Sequence, residues 1–262
     1  MNATGAMLAL ATRDLRAIAR ARSQVYSSVF TPLIFLVFLG TGVSRGLEPS
    51  KLSAGNYTAF LVAGVVVMTS VFSSTFSSAS YYRDRDSGLL RVLLASPQDP
   101  RVLLLGKSLA GVMIGVGQAM LVLAIAAPFV EFEWQYGILS GMLIALAAVV
   151  LLNLFLGGIA LALASRVSTM QGFHLVMNLV LFPLLFFSGA FFPIHDLPLW
   201  LEVLSLVNPL TYAVDAVQLA AYAESGADFI GLGIDFAVLA VLAAGVQLLS
   251  LGRLPKLTWS GR

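Results

Sequence analysis

The sequence predicts an all-α integral membrane protein: six transmembrane helices in a single transmembrane domain over residues 1–262. Three observations carry this. Hydrophobic residues make up 59% of the chain and charged residues only 11%, whereas a soluble domain carries about 25% charged residues. Mean hydropathy is +0.93. The charges cluster between charge-free runs long enough for the ~20 helical residues that cross a ~30 Å hydrocarbon core. These runs lack the two-residue alternation of barrel strands, and lipid admits only helices or closed barrels. The polar segments reach about 25 residues at most, too short to hold a core of their own. There is no cysteine, so disulfides and thiolate metal sites are excluded.

Residues 1–22 come first. On a helix, Leu8, Ala11, Leu15 and Ile18 share one face and Arg13, Arg16 and Arg20 the opposite one. This pattern suits a helix lying in the membrane interface with its arginines toward the headgroups; a solvated basic tail is the other reading. The segment does not resemble a cleavable signal, because its basic part is long and the first apolar run is of full span length. The predicted spans are Ser23–Ser44, with Pro32 in its early turns, then Leu52–Tyr82, Ser108–Val130, Trp134–Ser165, Val167–His195 and Phe229–Gly252. Orientation follows from the basic residues. With the N-terminus inside, thirteen of the fifteen Lys and Arg are cytoplasmic, and only Arg45 and Lys51 are outside. Both termini are then cytoplasmic. The basic isoelectric point reflects this sorting and does not point to nucleic acid.

The second span carries Ser70, Ser73, Ser74 and Ser77 on one face. Small hydroxyl residues allow close helix packing; a face lining a polar path is the alternative. The third span has Gly111 and Gly115 at close-packing spacing. Between these spans lies a cytoplasmic segment, residues 81–107. Asp84 and Asp86 precede a short apolar helix, where a helix N-terminus favours negative charge. That helix, Gly88–Ala95, holds Leu89, Leu90, Val92, Leu93 and Leu94, and Pro97 stops it. It can neither span the membrane nor stay bare in water, so it sits in the interface or against a partner protein. Gly106-Lys107-Ser108 is not a nucleotide-binding loop, because Arg101 stands where the motif needs its first glycine. Lys107 is expected to reach for the headgroups.

The extracellular segment 193–227 contains no Lys or Arg. It is too apolar for a plain loop and too broken by Pro198 and Pro209 for a straight span. Short re-entrant helices fit, since broken backbone at membrane depth is tolerated where protein or a cavity covers it. An interfacial helix anchored by Trp200 is the other reading. No catalytic constellation is present: the two histidines, His174 and His195, lie in no metalloprotease motif. Asp235 is the one acid well within a span, and intramembrane acids are functional candidates by default.

Taken together, these elements resemble the membrane subunit of a type-2 ATP-binding-cassette (ABC) exporter, in the branch of the daunorubicin-resistance and nodulation-factor export permeases. The resemblance covers nearly the whole chain. Two local stretches carry it: Arg85-Asp86-Ser87-Gly88-Leu89-Leu90 through Ser96-Pro97 to Gly106-Lys107, and Ser188-Gly189 with Phe192-Pro193, Leu197-Pro198-Leu199-Trp200-Leu201 and Asn208-Pro209-Leu210-Thr211-Tyr212. Asp86 stands where relatives often have Glu, and Gln218 where they often have Arg.

The resemblance implies a half-transporter. Two permease chains, alike or different, would pair with two copies of a separate ABC ATPase. This chain would hold no cofactor, and ATP and Mg would bind the partner. Asp86, Gly88, Leu89, Leu90, Leu93, Leu94 and Pro97 would form the coupling helix in a groove of the ATPase, with the N-terminal helix beside it. The first, second and fifth spans would line the path, with Ser70, Ser73, Ser74, Ser77, Phe182 and Phe186 as path residues. Pro193, Pro198, Trp200, Asn208, Pro209 and Tyr212 would form the extracellular gate. The expected activity is export of an amphipathic or apolar molecule, such as a drug or lipid-like compound, across a prokaryotic plasma membrane. Export of a polysaccharide or lipid-linked glycan is the nearest alternative, and an ion- or proton-coupled secondary transporter using Asp235 belongs to another class.

Overall fold

The computed structural model describes residues 3–44, 57–95, 99–130, 132, 134, 136–194, 198–221 and 230–252. These residues form eleven α-helices and no strand. An N-terminal helix, α1 (Ala3–Arg20), leads into α2 (Arg22–Ser44), which keeps Pro32 inside it. Then come α3 (Tyr57–Ser77), the short α4 (Ala79–Asp86) and α5 (Leu89–Leu94). The long α6 (Pro100–Ala126) ends in a 3-10 turn, Ala127–Phe129, and is followed by α7 (Ile138–Ala164). Next are α8 (Met170–Phe186), α9 (Leu199–Val207), α10 (Pro209–Ala221) and α11 (Leu232–Gly252). By length and apolarity five stretches can cross a membrane: Arg22–Gly42, Phe60–Asp86, Leu105–Phe129, Ile138–Ala164 and Leu232–Ser250. The pair α9 and α10, bent by 88°, would make a sixth if counted as one broken span.

Helix α3 is the centre of the bundle. Of its span 78% is buried inside the protein, against 17% for α11, whose outer faces suit lipid. Its neighbours include α2, α6, α7 and α10. The buried run Leu61–Met68 joins Leu152, Leu156, Met177, Leu181, Leu185 and Leu210 in one apolar core.

Local chemistry sets several bounds that hydropathy alone misplaces. Helix α6 starts at Pro100, not at Ser108. Asp99 caps it by accepting the Arg101 N–H at 2.8 Å, and proline suits the first helical position. The predicted span Val167–His195 is a helix of only 17 residues, Met170–Phe186, about 25 Å long. Thr169 caps its start by accepting the Gly172 N–H at 3.1 Å. After Phe186 the chain turns away at Gly189, whose φ of +76° suits glycine. The segment beyond stays apolar because it packs on α3: Tyr57 donates to the Phe191 carbonyl at 3.1 Å.

Candidate functional site

Helices α1, α4 and α6 meet at a buried ion cluster. Arg13 and Asp14 lie on α1, Asp84 in the last turn of α4, and Lys107 two turns into α6. Arg13 reaches Asp14 at 2.6 Å and Asp84 at 2.5 Å. Lys107 pairs with Asp14 at 3.1 Å and also with Asp84. Ser80 adds a long hydrogen bond to Asp14 at 3.4 Å. The Lys107 and Asp14 side chains are 4% and 3% exposed, whereas Arg13 keeps 36% of its side chain in contact with the surroundings. Two cations and two carboxylates cancel, which is what makes burial of four charges tolerable. Burial works against the Arg13 charge, but its hydrogen bonds to Asp14 and Asp84 and their attraction outweigh it, so its pKa is raised.

This arrangement corrects the sequence reading in three ways. Lys107 points into the protein and not toward headgroups. Arg13 turns inward, leaving Arg16 and Arg20 exposed. The buried positions of α1 are Ala6, Leu10, Ala11, Asp14 and Ile18, and Leu8 is 54% exposed. That face packs on α6, where the Gly106 position lies against the Met7 carbonyl.

Two further links run from the end of α4 to the α7–α8 turn. The Tyr82 hydroxyl donates to the Val167 carbonyl at 3.1 Å. Arg85 donates to the Ser168 carbonyl while its guanidinium sits 4.9 Å over the Tyr82 ring. Asp84 and Asp86 thus lie at the C-terminal end of α4, where their basic neighbours answer the charge; Asp86 is exposed and pairs with Arg85 at 3.3 Å. Gly88, at φ +74°, makes the corner into α5. Leu89 and Leu90 are half-buried and Val92 is 66% exposed. Leu93 and Leu94 complete this helix, and Pro97 lies outside the described residues.

The serine face of α3 packs inward. Ser70, Ser73 and Ser74 are buried, and Asn153 of α7 donates to Ser70 at 3.0 Å. Gly111 lies under Ser77 and Gly115 under Asn153, so the paired glycines admit both neighbours. A cavity of about 30 Å³ remains among Ser74, Ser77, Lys107, Ser108 and Asn153. Phe182 meets Phe72 edge-on at 6.0 Å, and Phe186 lies 5.4 Å from Phe191; both keep an open face on α8 beside the exposed Leu175 and Leu179.

At the far end of the bundle, Asn208 ties the α9–α10 elbow to α8. Its amide donates to the Leu184 carbonyl, and its oxygen accepts the Leu210 N–H at 3.0 Å. Tyr212 donates to the Leu206 carbonyl at 2.6 Å. Pro209 opens α10, Pro198 precedes α9, Trp200 is 68% exposed, and Pro193 lies in the turn after α8.

The family model for ABC-2 type transporters matches residues 5–222, from α1 through α10. The chain belongs to the ABC-2 type transporter family. Its relatives include Nodulation protein J of Rhizobium meliloti (strain 1021), 28% identical over 208 residues, 76% of this chain and 74% of the relative. Nodulation protein J of Rhizobium leguminosarum bv. trifolii is 27% identical over 197 residues, 71% of this chain and 70% of the relative. The "Probable multidrug ABC transporter permease YbhR" of Escherichia coli (strain K12) is 29% identical over 166 residues, 62% of this chain but only 44% of that protein. The ABC-2 chain is thus a multi-pass permease subunit of a transporter, and its family implies an ATPase partner. Within this ABC-2 permease, sequence reasoning did not find Asp14, Tyr82 or Asn153 as joints. Their one signal was a polar side chain inside an otherwise apolar helix face.

Proposed function

We propose that this permease exports an amphipathic or apolar molecule, drug or lipid-like, from the cytoplasm or inner leaflet of a prokaryotic plasma membrane. It works as one of two permease chains, driven by two copies of a separate ATPase that holds ATP and Mg. Both termini and α5 lie on the cytoplasmic side. The observation that carries the reading is the situation of α5, a six-residue apolar helix showing Val92 outward. It hangs on a segment tied to α1 and α6 by the ion cluster and to the α7–α8 turn by Tyr82 and Arg85. A push on α5 moves α4. From α4 the displacement passes to α8, the helix that carries Phe182 and Phe186.

The substrate class is supported by the open apolar faces of α2, with Phe30, Ile34 and Phe38 exposed, and of α8. YbhR is named a multidrug permease, which agrees. The open rings of Phe182 and Phe186 would also stack on sugars, the feature that favours a glycan substrate as the second reading.

Val92→Asp tests the coupling. Val92 is already exposed, so the change leaves the bundle intact while placing a charge where an apolar groove would close over it. The variant is expected to reach the membrane in normal amount and to lose co-purification of the ATPase, or transport per ATP hydrolysed. Normal ATPase capture together with normal transport by Val92→Asp would remove α5 from the mechanism.

A further inference from the structure

The hydroxyls of α3 and the turn after it do not all behave alike. Thr69, Ser70, Thr75, Ser77 and Ser78 each donate back to a carbonyl three or four residues earlier, at 2.8–3.3 Å, a common resting place for a hydroxyl in a helix. Ser73 does not. It is 2% exposed, and its Oγ has no hydrogen-bond partner among the described residues.

Two neighbours share the deficit. Gln118 of α6 is 8% exposed, and its Oε1 is buried and unpartnered. The Oε1 of Gln24, in the first turn of α2, is buried and unpartnered too. The corner from α1 into α2, where the Gln24 N–H bonds the Ala21 carbonyl at 3.0 Å, brings this side chain toward α3. All three side chains line one cavity of about 10 Å³, with Ile18, Phe76 and Ile114 among its apolar walls.

Buried polar atoms are nearly always bonded, and three orphans from three helices around one cavity call for one explanation. Volume and chemistry narrow what can lie there. The cavity has room for about one water and for nothing larger. No residue lining it carries a charge, so a cation there would be buried with no carboxylate to answer it. Water fits the bonding pattern. Its two O–H groups suit the two amide oxygens, and its own oxygen suits the Ser73 hydroxyl, about the three bonds that a buried water typically makes. Turning either amide about keeps the match, because water accepts as well as it donates.

We propose that Gln24, Ser73 and Gln118 bind one internal water molecule, which joins α2 to α3 and α6. The serine face of α3 is thus directly packed at Ser70, which takes its bond from Asn153, and a hydrated joint at Ser73. Bonds through water are nearly as good as direct ones. They re-form with solvent when they part, so α2 can separate from α3 here without stranding a buried polar group. The inference does not depend on what the permease carries.

The test is X-ray radiolytic footprinting of the full chain in lipid nanodiscs. Radiation splits bound water into hydroxyl radicals that oxidise the side chains beside it, and mass spectrometry reads the products. Ile18 is 4% exposed and borders the cavity; Leu10 of the same helix is 7% exposed and does not. In the wild type, Ile18 is expected to be oxidised several-fold faster than Leu10. The double variant Ser73→Ala, Gln118→Leu removes two of the three partners and fills the space with apolar atoms, so Ile18 is expected to fall to the rate of Leu10. Equal rates for Ile18 and Leu10 in the wild type overturn the proposal, and that comparison needs no variant. So does fast oxidation of Ile18 that persists in the folded double variant. A wild-type Tm that is higher in sodium chloride than in choline chloride, with the difference lost in Ser73→Ala, overturns it as well, since the site would then hold a cation.

Discussion

Lys107 and Asp14, 93 positions apart in the chain, form an ion pair at 3.1 Å with both side chains almost fully buried. Each is also tied to Asp84 through a direct pair or through Arg13. The N-terminal helix is therefore a fixed part of the bundle at the level of α4 and α6, not a tail resting beside it. A displacement of α4 has to carry α1 along or break a buried ion pair, and the second course is costly.

Removing one member of the cluster strands the others. Lys107→Met leaves Asp14 and Asp84 with Arg13 alone, and the expected loss is about 3–5 kcal/mol of stability. Thermal unfolding of the purified chain in detergent measures it. Adding Asp14→Asn to Lys107→Met removes the stranded charge and is expected to recover part of the loss, a coupling that a double-mutant cycle reads directly. Strict additivity of the two changes would mean that the pair contributes nothing.

The sequence made the all-α architecture and the five long apolar helices readable, because charge-free runs of span length have few alternatives in lipid. It also exposed the serine face of α3, whose spacing is helical whatever it packs against. Partners were another matter. Lys107 sits at the edge of an apolar run, as headgroup-facing lysines do, and only the tertiary fold brings Asp14 beneath it. The end of α8 was misplaced for a related reason. Residues 188–191 are buried, with Ala190 and Phe191 against α3, and burial against protein rather than lipid leaves no mark in hydropathy. The break between α9 and α10 was legible from Pro198 and Pro209, but the Asn208 bond to Leu184 was not.

Close approach of that segment to α3 gives a sharp test. A Cβ at Gly64 would lie 2.2 Å from the Ala190 carbonyl oxygen, whereas a Cβ at Gly42 would meet nothing within 4 Å. Gly64→Ala is expected to cost about 1–3 kcal/mol or more by forcing the backbones apart. Gly42→Ala is expected to stay within about 1 kcal/mol of the wild type, on the stabilising side. Detergent-solubilised Tm values of the two variants separate the cases, and equal values would place Ala190 away from α3.

Asn208 carries two separable bonds. Asn208→Ala loses both the cap on Leu210 and the donor to Leu184, an expected cost of about 1–3 kcal/mol. Asn208→Ser restores a cap, worth about 1 kcal/mol, but is too short to reach Leu184. Serine should therefore recover part of the Tm and none of the elbow's attachment to α8. Hydrogen exchange at the C-terminal turn of α8 reports that attachment. Protection there equal to wild type in Asn208→Ser would show that the Leu184 bond does not hold the elbow.

Gly88 isolates the aim of α5 from its contacts. Its φ is +74°, and an added Cβ would meet nothing within 4 Å, so any effect of substitution acts through the backbone. A left-handed conformation costs most residues about 1–2 kcal/mol, and asparagine less. Gly88→Val is expected to swing α5 away from its direction and lower transport per ATP hydrolysed most strongly, Gly88→Ala less so, and Gly88→Asn least. Because the change adds no charge and its Cβ meets no neighbour, ATPase capture should persist across the series while the coupling ratio falls least in Gly88→Asn and most in Gly88→Val. Identical coupling ratios in all three would mean that the corner between α4 and α5 need not be fixed for the motor's movement to reach the bundle.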